Sequence, residues 1–438
     1  MSKILKYSLS LFILVMFACS SEYDYSVNVD TENLSFVTLN TNLTEKSTVG
    51  LEELVSFNLT NDVTGENISE AATFFINEEA ISGNSYELQE AGTYEIYATI
   101  EDITSNTIQL DVVDGKYVSV NLKVAMKGQT VLFKAFDTDG TEITDESAFI
   151  VNDNPINGNE FSSEQSGTYS VVAQHQGTTT AITTFEIYTA KRKVALEDYT
   201  GGWCGWCPRV LLVIEEVEKV TEDVVTLAVH NNDEMEFEQE EVLRNSFDVG
   251  SSLPKLRANR TDNINVIQDS QIPNAVDYIA SMAGAEINNA IAINTKLYND
   301  QLKVNVELIS EESLPSSYKL AVYLYQDGLA YEQTNYYNNS EGSKWYQQGN
   351  PIPDFVHNHV LEASLTENLL GDNIENISAF ETLNRNIGTF NLSRYSHTDN
   401  GNTFDPSRFG VAVFLVDENN NAINAQSVKA GKNVSFNE

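Results

Sequence analysis

Cysteine is nearly missing from this sequence: three residues in 438, at positions 19, 204 and 207. Three cannot build a framework of structural disulfides, so the cores of the chain must hold by packing. Positive charge is scarce as well. Against 64 acidic residues stand 25 Lys and Arg, a formal net charge of -39. Such a field repels phosphate backbones, excludes nucleic acid as a partner and keeps a surface solvated. A second Cys-x-x-Cys is also missing, which makes a structural zinc site a poor fit; no metal and no cofactor is expected. Beyond residue 17 no run is long and apolar enough to span a bilayer. Apolar and aromatic residues, by contrast, are plentiful at 41% and 10%, which excludes general disorder. The length is too great for one core and implies three or four domains.

Lys3 and Lys6 precede an apolar run from Tyr7 to Phe17, and Ala18-Cys19 follows it. A charged start, a short apolar stretch and a small residue before a break are the parts of a secretory signal. With cysteine directly after the small residue, the segment resembles a bacterial lipoprotein signal, which implies cleavage before Cys19 and acylation of that cysteine. Residues 1–19 are read as the signal and 20–40 as a tether, so the anchor is acyl chains rather than a transmembrane helix. Ser20 beside the cysteine implies the outer membrane, by resemblance to Gram-negative lipoproteins. Glu22 and Asp24 resemble the surface-export tag of Bacteroidetes lipoproteins. The expected location is the outer membrane, with the protein facing the periplasm or the cell surface.

Asn77, Ile81, Gly83-Asn84, Gly92-Thr93-Tyr94 and Ala98 recur as Asn152, Ile156, Gly158-Asn159, Gly167-Thr168-Tyr169 and Ala173, each 75 residues later. One constant offset means one duplicated module. Each copy alternates short strand-like runs, such as Tyr94 to Ile100 and Ser170 to Gln174, with Gly, Asn and Asp turns. Gly-x-Tyr at the start of a late strand resembles the tyrosine corner of an immunoglobulin-like sandwich. The copies are placed at residues 41–115 and 116–190, with Phe75, Ile96, Phe149 and Val171 as core members. Asp137-Thr138-Asp139-Gly140 reads as a tight hairpin turn rather than a calcium loop.

From Lys191 the apolar period changes. A strand, Val194 to Tyr199, runs into Trp203-Cys204-Gly205-Trp206-Cys207-Pro208, and a helical face of Val210, Leu211, Ile214 and Val217 follows. Two residues between the cysteines bring both sulfurs onto the first turn of that helix, the setting of a dithiol/disulfide pair. Lowering a free thiol from about 8.5 to about 7 takes about 2 kcal/mol, near the upper end of what a helix N-terminus supplies. Next come a strand, Val224 to His230, a polar-rich helix, Met235 to Phe247, a short strand led by Leu253-Pro254, and a helix, Ile272 to Ala283. This is the thioredoxin order.

Glu197-Asp198-Tyr199-Thr200-Gly201, Cys204-x-x-Cys207-Pro208, His230 with Asp233, Pro254, Asn259-Arg260 and Phe355-Val356-His357-Asn358-His359-Val360-Leu361 together resemble the outer membrane protein 28-related family of Bacteroidetes. The resemblance runs from about Lys191 to the C-terminus, leaving the duplicated modules outside. It implies a thioredoxin-like domain over 191–285 and a β-sandwich over 286–438, which also shows strand-like runs from Ile291, Lys303, Tyr318 and Gly410. By resemblance to thioredoxins, Cys204 attacks a substrate disulfide and Cys207 resolves the mixed disulfide. Asp198 handles the proton of Cys207, while Glu197 points to the opposite face of the strand. Pro254 is the cis-proline against which a substrate strand pairs, and Trp203 and Trp206 offer a docking surface.

The expected architecture is thus multidomain: two immunoglobulin-like β-sandwiches, a thioredoxin-like α/β domain and a C-terminal β-sandwich. The expected activity is thiol-disulfide exchange on exported proteins, with an electron donor the sequence does not name. The alternative is a non-catalytic surface binding, adhesion or assembly protein with a static Cys204-Cys207 disulfide. His357 and His359 make half a metal site at most and are expected to pack or hydrogen-bond near a domain junction.

Overall fold

The computed structural model describes residues 34–43, 46 and 48–438. Cys19, the expected acylation site, and residues 20–33 of the tether lie outside them. Among the described residues no helix is long and apolar enough to cross a membrane.

Two copies of one two-sheet module come first. In the first copy, strands Val37–Thr41, Leu54–Asn61 and Ser85–Glu87 form one sheet. Thr48–Gly50, Ile108–Val113, Gly92–Ile100, Thr73–Ile76 and Glu79–Ala80 form the other, in that spatial order. The second copy repeats both orders, with Tyr117–Val120, Val131–Phe136 and Glu160–Phe161 in one sheet and Val124–Met126, Thr183–Tyr188, Gly167–His175, Ala148–Val151 and Asn154–Pro155 in the other. The sequence repeat is therefore a repeat of strand order as well as of letters.

Alternation along the strands decides which side chains are inside. Phe74, Ile96 and Ala98 are buried in one copy, and Phe149, Val171 and Ala173 in the other. Ile96, Phe149 and Val171 thus occupy the core as expected, whereas Phe75 does not. Phe75 faces outward and stacks on Tyr97, ring centroids 4.9 Å apart, because Phe74 beside it takes the inward position and adjacent strand residues cannot share a face. The tyrosine corner recurs: the Tyr94 hydroxyl donates to the Glu90 carbonyl at 3.0 Å, and that of Tyr169 to the Gln165 carbonyl at 2.8 Å. Asp137 to Gly140 form a hairpin turn, with the Gly140 amide donating to the Asp137 carbonyl at 3.0 Å.

From residue 191 the chain enters a nine-stranded sheet. Its main path runs Asp262–Ile264, Lys255–Ala258, Val194–Thr200, Val224–His230, Val360–Ser364, Lys319–Gln326, Phe409–Val416, Ala422–Lys429. Val194–Thr200 lies parallel to Val224–His230 and antiparallel to Lys255–Ala258. The sheet does not stop near residue 285: Val224–His230 pairs in parallel with Val360–Ser364, and the Ala228 amide donates to the His359 carbonyl at 2.7 Å.

Three helices cover the first half of this sheet. Pro208–Glu218 and Ile272–Met282 pack on the face of Val194 and Leu196. Glu240–Ser246 lies on the other face, with Leu243 against Ala195, Tyr199 and Leu227. The helix expected from Met235 starts only at Glu240, because the side chain of Asp233 takes the Met235 amide at 2.9 Å and holds a turn there. Over the second half of the sheet a four-stranded sheet, Leu383–Asn391, Gln301–Ser310, Asn289–Tyr298 and Asn433–Val434, closes a β-sandwich core that includes Val304, Val306, Val322 and Val413.

Candidate functional site

The site lies at the C-terminal end of the Val194–Thr200 strand. Buried residues on both faces and a paired strand on either side fix that strand inside the sheet, third from its edge. The chain leaves it through Gly201 and Gly202, turns, and enters the helix at Pro208, where a proline costs no backbone donor. Cys204 and Cys207 flank the turn and are joined in a disulfide. Cys207 is the residue that caps the helix. Lys255 pairs with Tyr199 across the sheet, so Pro254, whose bond to Leu253 is cis, stands at the same end as the cysteines.

One residue before Tyr199, on the opposite face, Asp198 is 4% exposed and its Oδ1 has no hydrogen-bond partner. Burial alone pushes its carboxyl up to about 8, so at neutral pH it is a carboxylic acid. Asp198 shares a small cavity with Thr200, Cys207, Ala228, His230, Gln333 and His357. His230 is fixed by Asp233, Nδ1 to Oδ2 at 2.8 Å, and the same Oδ2 accepts the Gly202 amide at 2.7 Å. Burial pushes Asp233 up, but these bonds, led by that to His230, hold it below the usual carboxylate range.

The other face of the strand carries an ion pair. Glu197 and Arg260 are both buried, with Arg260 Nε at 3.1 Å from the carboxylate and Nη2 donating to the Tyr323 hydroxyl at 2.6 Å. The guanidinium also lies over Phe247, Tyr323 and Phe414. Glu197 and Asp198 thus point to opposite faces, the first paired with a guanidinium, the second buried without a charged partner.

A hairpin from the C-terminal region completes the site. Its strands, Leu329–Gln333 and Ile352–His357, pair antiparallel, and the intervening residues 334–351 lie across the cysteine turn as a strap. Gln333 Nε2 donates to the Cys204 carbonyl at 3.0 Å. The Thr334 amide donates to the Gly202 carbonyl at 2.7 Å and the Tyr336 amide to the Gly205 carbonyl at 3.1 Å. Tyr336 sits so close over Gly205 that a Cβ there would lie 2.5 Å from its ring. Tyr336 and Tyr337 both meet Trp206 edge-on, at 5.1 and 5.5 Å between centroids, and Arg209 lies over Tyr337. The Trp345 indole donates to the Pro208 carbonyl at 3.2 Å. Beneath this strap Cys204 is 4% exposed and Cys207 2%.

Most of the residues marked in the sequence therefore meet here. Asp198, Cys204, Cys207, His230 and His357 surround or adjoin one cavity, with Pro254 at the same sheet end. Trp203 and Trp206 are half-exposed at its rim, Trp203 donating to the Asn231 carbonyl at 2.6 Å. His359 lies apart, Nε2 at 3.2 Å from Glu218. Among the described residues no group of His, Cys, Asp and Glu is placed to hold a metal ion. Gln333, Tyr336, Tyr337, Trp345 and Arg209 were not singled out in the sequence, although the aromatic density from Tyr331 to Trp345 is visible there.

Residues 240–434 match the family described as outer membrane protein Omp28. The resemblance stated from the motif residues is borne out over most of the region that carries it, and the match begins downstream of both cysteines. The family's name associates it with the outer membrane. Among curated proteins no match is found. Similar solved structures include HBP35 of Porphyromonas gingivalis, 18% identical, covering 56% of this chain and 77% of that one, TM-score 0.42. Domains 5-6 of the S-layer protein SbsC are 17% identical over 34% of this chain and 96% of that one, TM-score 0.15. The tandem Ig repeats of Dlar are 14% identical over 35% and 97%, TM-score 0.13. These scores are too low to argue from.

Proposed function

We propose that this chain is an outer-membrane protein, lipid-anchored through Cys19, that exchanges its Cys204-Cys207 disulfide with thiols of exported proteins. A thioredoxin-like reading of residues 191–285 is supported by the strand order: a central strand leading into the cysteine turn and its helix, a parallel neighbour, then two antiparallel strands preceded by a cis-proline. In the exchange a partner thiolate attacks Cys204 Sγ and the S–S bond breaks. Its electron pair leaves on Cys207 Sγ, which takes the proton of Asp198. A second partner thiolate then attacks the mixed disulfide and Cys204 departs as thiolate, leaving the partner oxidised and the pair reduced; the reverse sequence reduces a partner disulfide. Trp203 and Trp206 offer apolar surface at the rim. Beside Trp203 a cleft of about 820 Å³ leaves room for a partner segment.

The observation that carries this reading is the buried, neutral Asp198 in the cavity wall beside Cys207. A static disulfide has no use for a titratable group there, and burying one without a partner is costly. A second reading, a binding or adhesion protein with a permanent disulfide, is favoured by the burial of both sulfurs beneath the strap. Equilibration of the pair in thiol redox buffers separates the two. A reduction potential in the range of known oxidoreductases supports exchange, and one well below about -300 mV supports the static pair.

A further inference from the structure

The outer face of the four-stranded sheet carries residues that strands do not favour. Register sets Asn433 beside Asn294, Asn294 beside Asn305 and Asn305 beside Asn386, so asparagines stand abreast, one on each strand. Val304 and Val306, the neighbours of Asn305, lie in the sandwich core, which sends the whole row to the opposite face. Asparagine is depleted in strands, where β-branched and aromatic side chains pack better. Amides bonded to one another in a ladder would give the row a structural use. Instead the side chains of Asn294, Asn305 and Asn386 make no hydrogen bond among the described residues, while Asn433 Oδ1 accepts from the Thr295 amide at 2.9 Å. A local rule broken along a whole row, with no structural return, points to function.

The row is the floor of a cleft of about 640 Å³, a volume typical of ligand sites. The first module supplies the facing wall through Thr38, Asp62 and Asn106. Lys296 fixes that wall in place: Nζ donates to the Val37 carbonyl at 2.7 Å, to Thr38 Oγ1 at 3.0 Å and to Asp62 Oδ2 at 3.0 Å. Lys303 Nζ reaches the same Asp62 oxygen at 3.0 Å. Both cations are thereby neutralised. At the other end Glu307 accepts from Asn384 Nδ2 at 3.0 Å, and Asn106 is tied to Leu39 through both its oxygen and its nitrogen. The groups left free on the floor are neutral amides, each with two donors and an acceptor oxygen.

We propose that this cleft binds a neutral oligosaccharide laid across the strands along the asparagine row. A sugar hydroxyl both donates and accepts, so it pairs with an amide in either sense. The row from Asn433 to Asn386 crosses three strand intervals, about 14 Å, long enough for a short oligomer rather than a single ring. An acidic or phosphorylated ligand would find no free cation here and would meet a chain of net charge -39. An extended peptide draws its affinity from main-chain pairing at a sheet edge, whereas Asn294 and Asn305 already have a paired strand on either side. No aromatic ring among the described residues lines the cleft. Binding therefore rests on a few hydrogen bonds, with a dissociation constant on the order of 1 mM. None of this depends on the cysteine pair.

The test is saturation-transfer NMR on the full chain with cellotetraose, maltotetraose and chitotetraose as neutral probes and tetragalacturonate as an acidic one. Transfer to at least one neutral probe and none to tetragalacturonate is expected. Asn305→Val should weaken that transfer at least fivefold while leaving the urea unfolding midpoint equal to or above that of the wild type, because valine suits a strand better than asparagine. No transfer to any neutral probe, equal transfer to tetragalacturonate, or undiminished transfer in Asn305→Val would overturn the proposal. A lowered midpoint, or a variant that does not fold, would overturn it too, by showing that the amide serves the fold.

Discussion

A reagent cannot reach a sulfur that is 4% exposed without local opening, so reduction of this disulfide should be gated by the strap. Tyr336→Ala is the perturbation that tests it. The Tyr336 ring is 53% exposed, so truncation loses about half of an aromatic side chain's burial, roughly 1 kcal/mol. It also loses the edge-on contact with Trp206, roughly another 1 kcal/mol. If both contacts break when the strap lifts, opening becomes easier by about 2 kcal/mol, close to a 30-fold change in its equilibrium. With closing fast relative to chemistry, the observed rate constant should rise by that factor.

The assay is pseudo-first-order reduction by dithiothreitol, followed through Trp203 and Trp206 fluorescence. Gly205→Ala approaches the same contact from the other side, since its Cβ would lie 2.5 Å from the Tyr336 ring, and it should also accelerate reduction. Because both changes act on one contact, their effects should fall well short of additive. Rates within twofold of wild type for both variants, with unfolding midpoints unchanged, would refute the gating argument.

Asp198 makes stability depend on pH. Its folded-state value of about 8 lies above the ordinary aspartate value of 3.8, so between those values the folded state holds a proton the unfolded state has lost. Stability is full below about pH 4 on this account and falls by about 1.4 kcal/mol per unit as pH rises to about 8. Asp198→Asn should flatten that slope in urea unfolding at pH 5, 7 and 9. Arg260→Met should cost roughly 3–5 kcal/mol by stranding the buried Glu197 carboxylate, and a paired Glu197→Leu should recover most of it, read from denaturant midpoints. Tyr94→Phe and Tyr169→Phe should each cost about 1 kcal/mol, additively, since each corner closes within its own module.

How much of this was legible in the sequence depends on whether a feature is local. The duplication was readable because its letters recur at one spacing, and the tyrosine corners came with it. Phe75 was misassigned although the repeat held the correction: the equivalent of Phe149 is Phe74, and alternation then sends Phe75 outward. Glu197 and Asp198 could be sent to opposite faces because period-two geometry needs only neighbours. The later strands could be recognised by pattern, but pattern says which face a residue takes and nothing about which strand lies alongside. The pairing of Ala228 with Val360, which makes one sheet across residue 285, had no local signature.

The strap shows the same limit at the site itself. Tyr336 and Trp206 are separated by more than a hundred residues, and no periodicity links them; only the hairpin that also delivers His357 brings them together. That shared origin has a mechanical consequence. Residues 334–351 cover the sulfurs, and the return strand Ile352–His357 carries the imidazole of the cavity wall, so the covering segment and the cavity wall belong to one supersecondary unit. If the hairpin moved as a rigid body, lifting the strap would carry His357 away from Asp198 just when a charge enters the cavity. The His357 amide side of the hairpin is instead tied to the large sheet next door, where the His359 carbonyl accepts from Ala228 and Val360 begins a buried strand. The strap has no ladder to the large sheet; it is held by edge-on rings, the small cluster of Tyr337, Trp345 and Phe355, and four hydrogen bonds to the cysteine turn, from Thr334, Tyr336, Tyr337 and Trp345. Opening should therefore concentrate in residues 334–351 and leave His357 in place, with amide exchange on reduction rising in the strap and not in Phe355–His357.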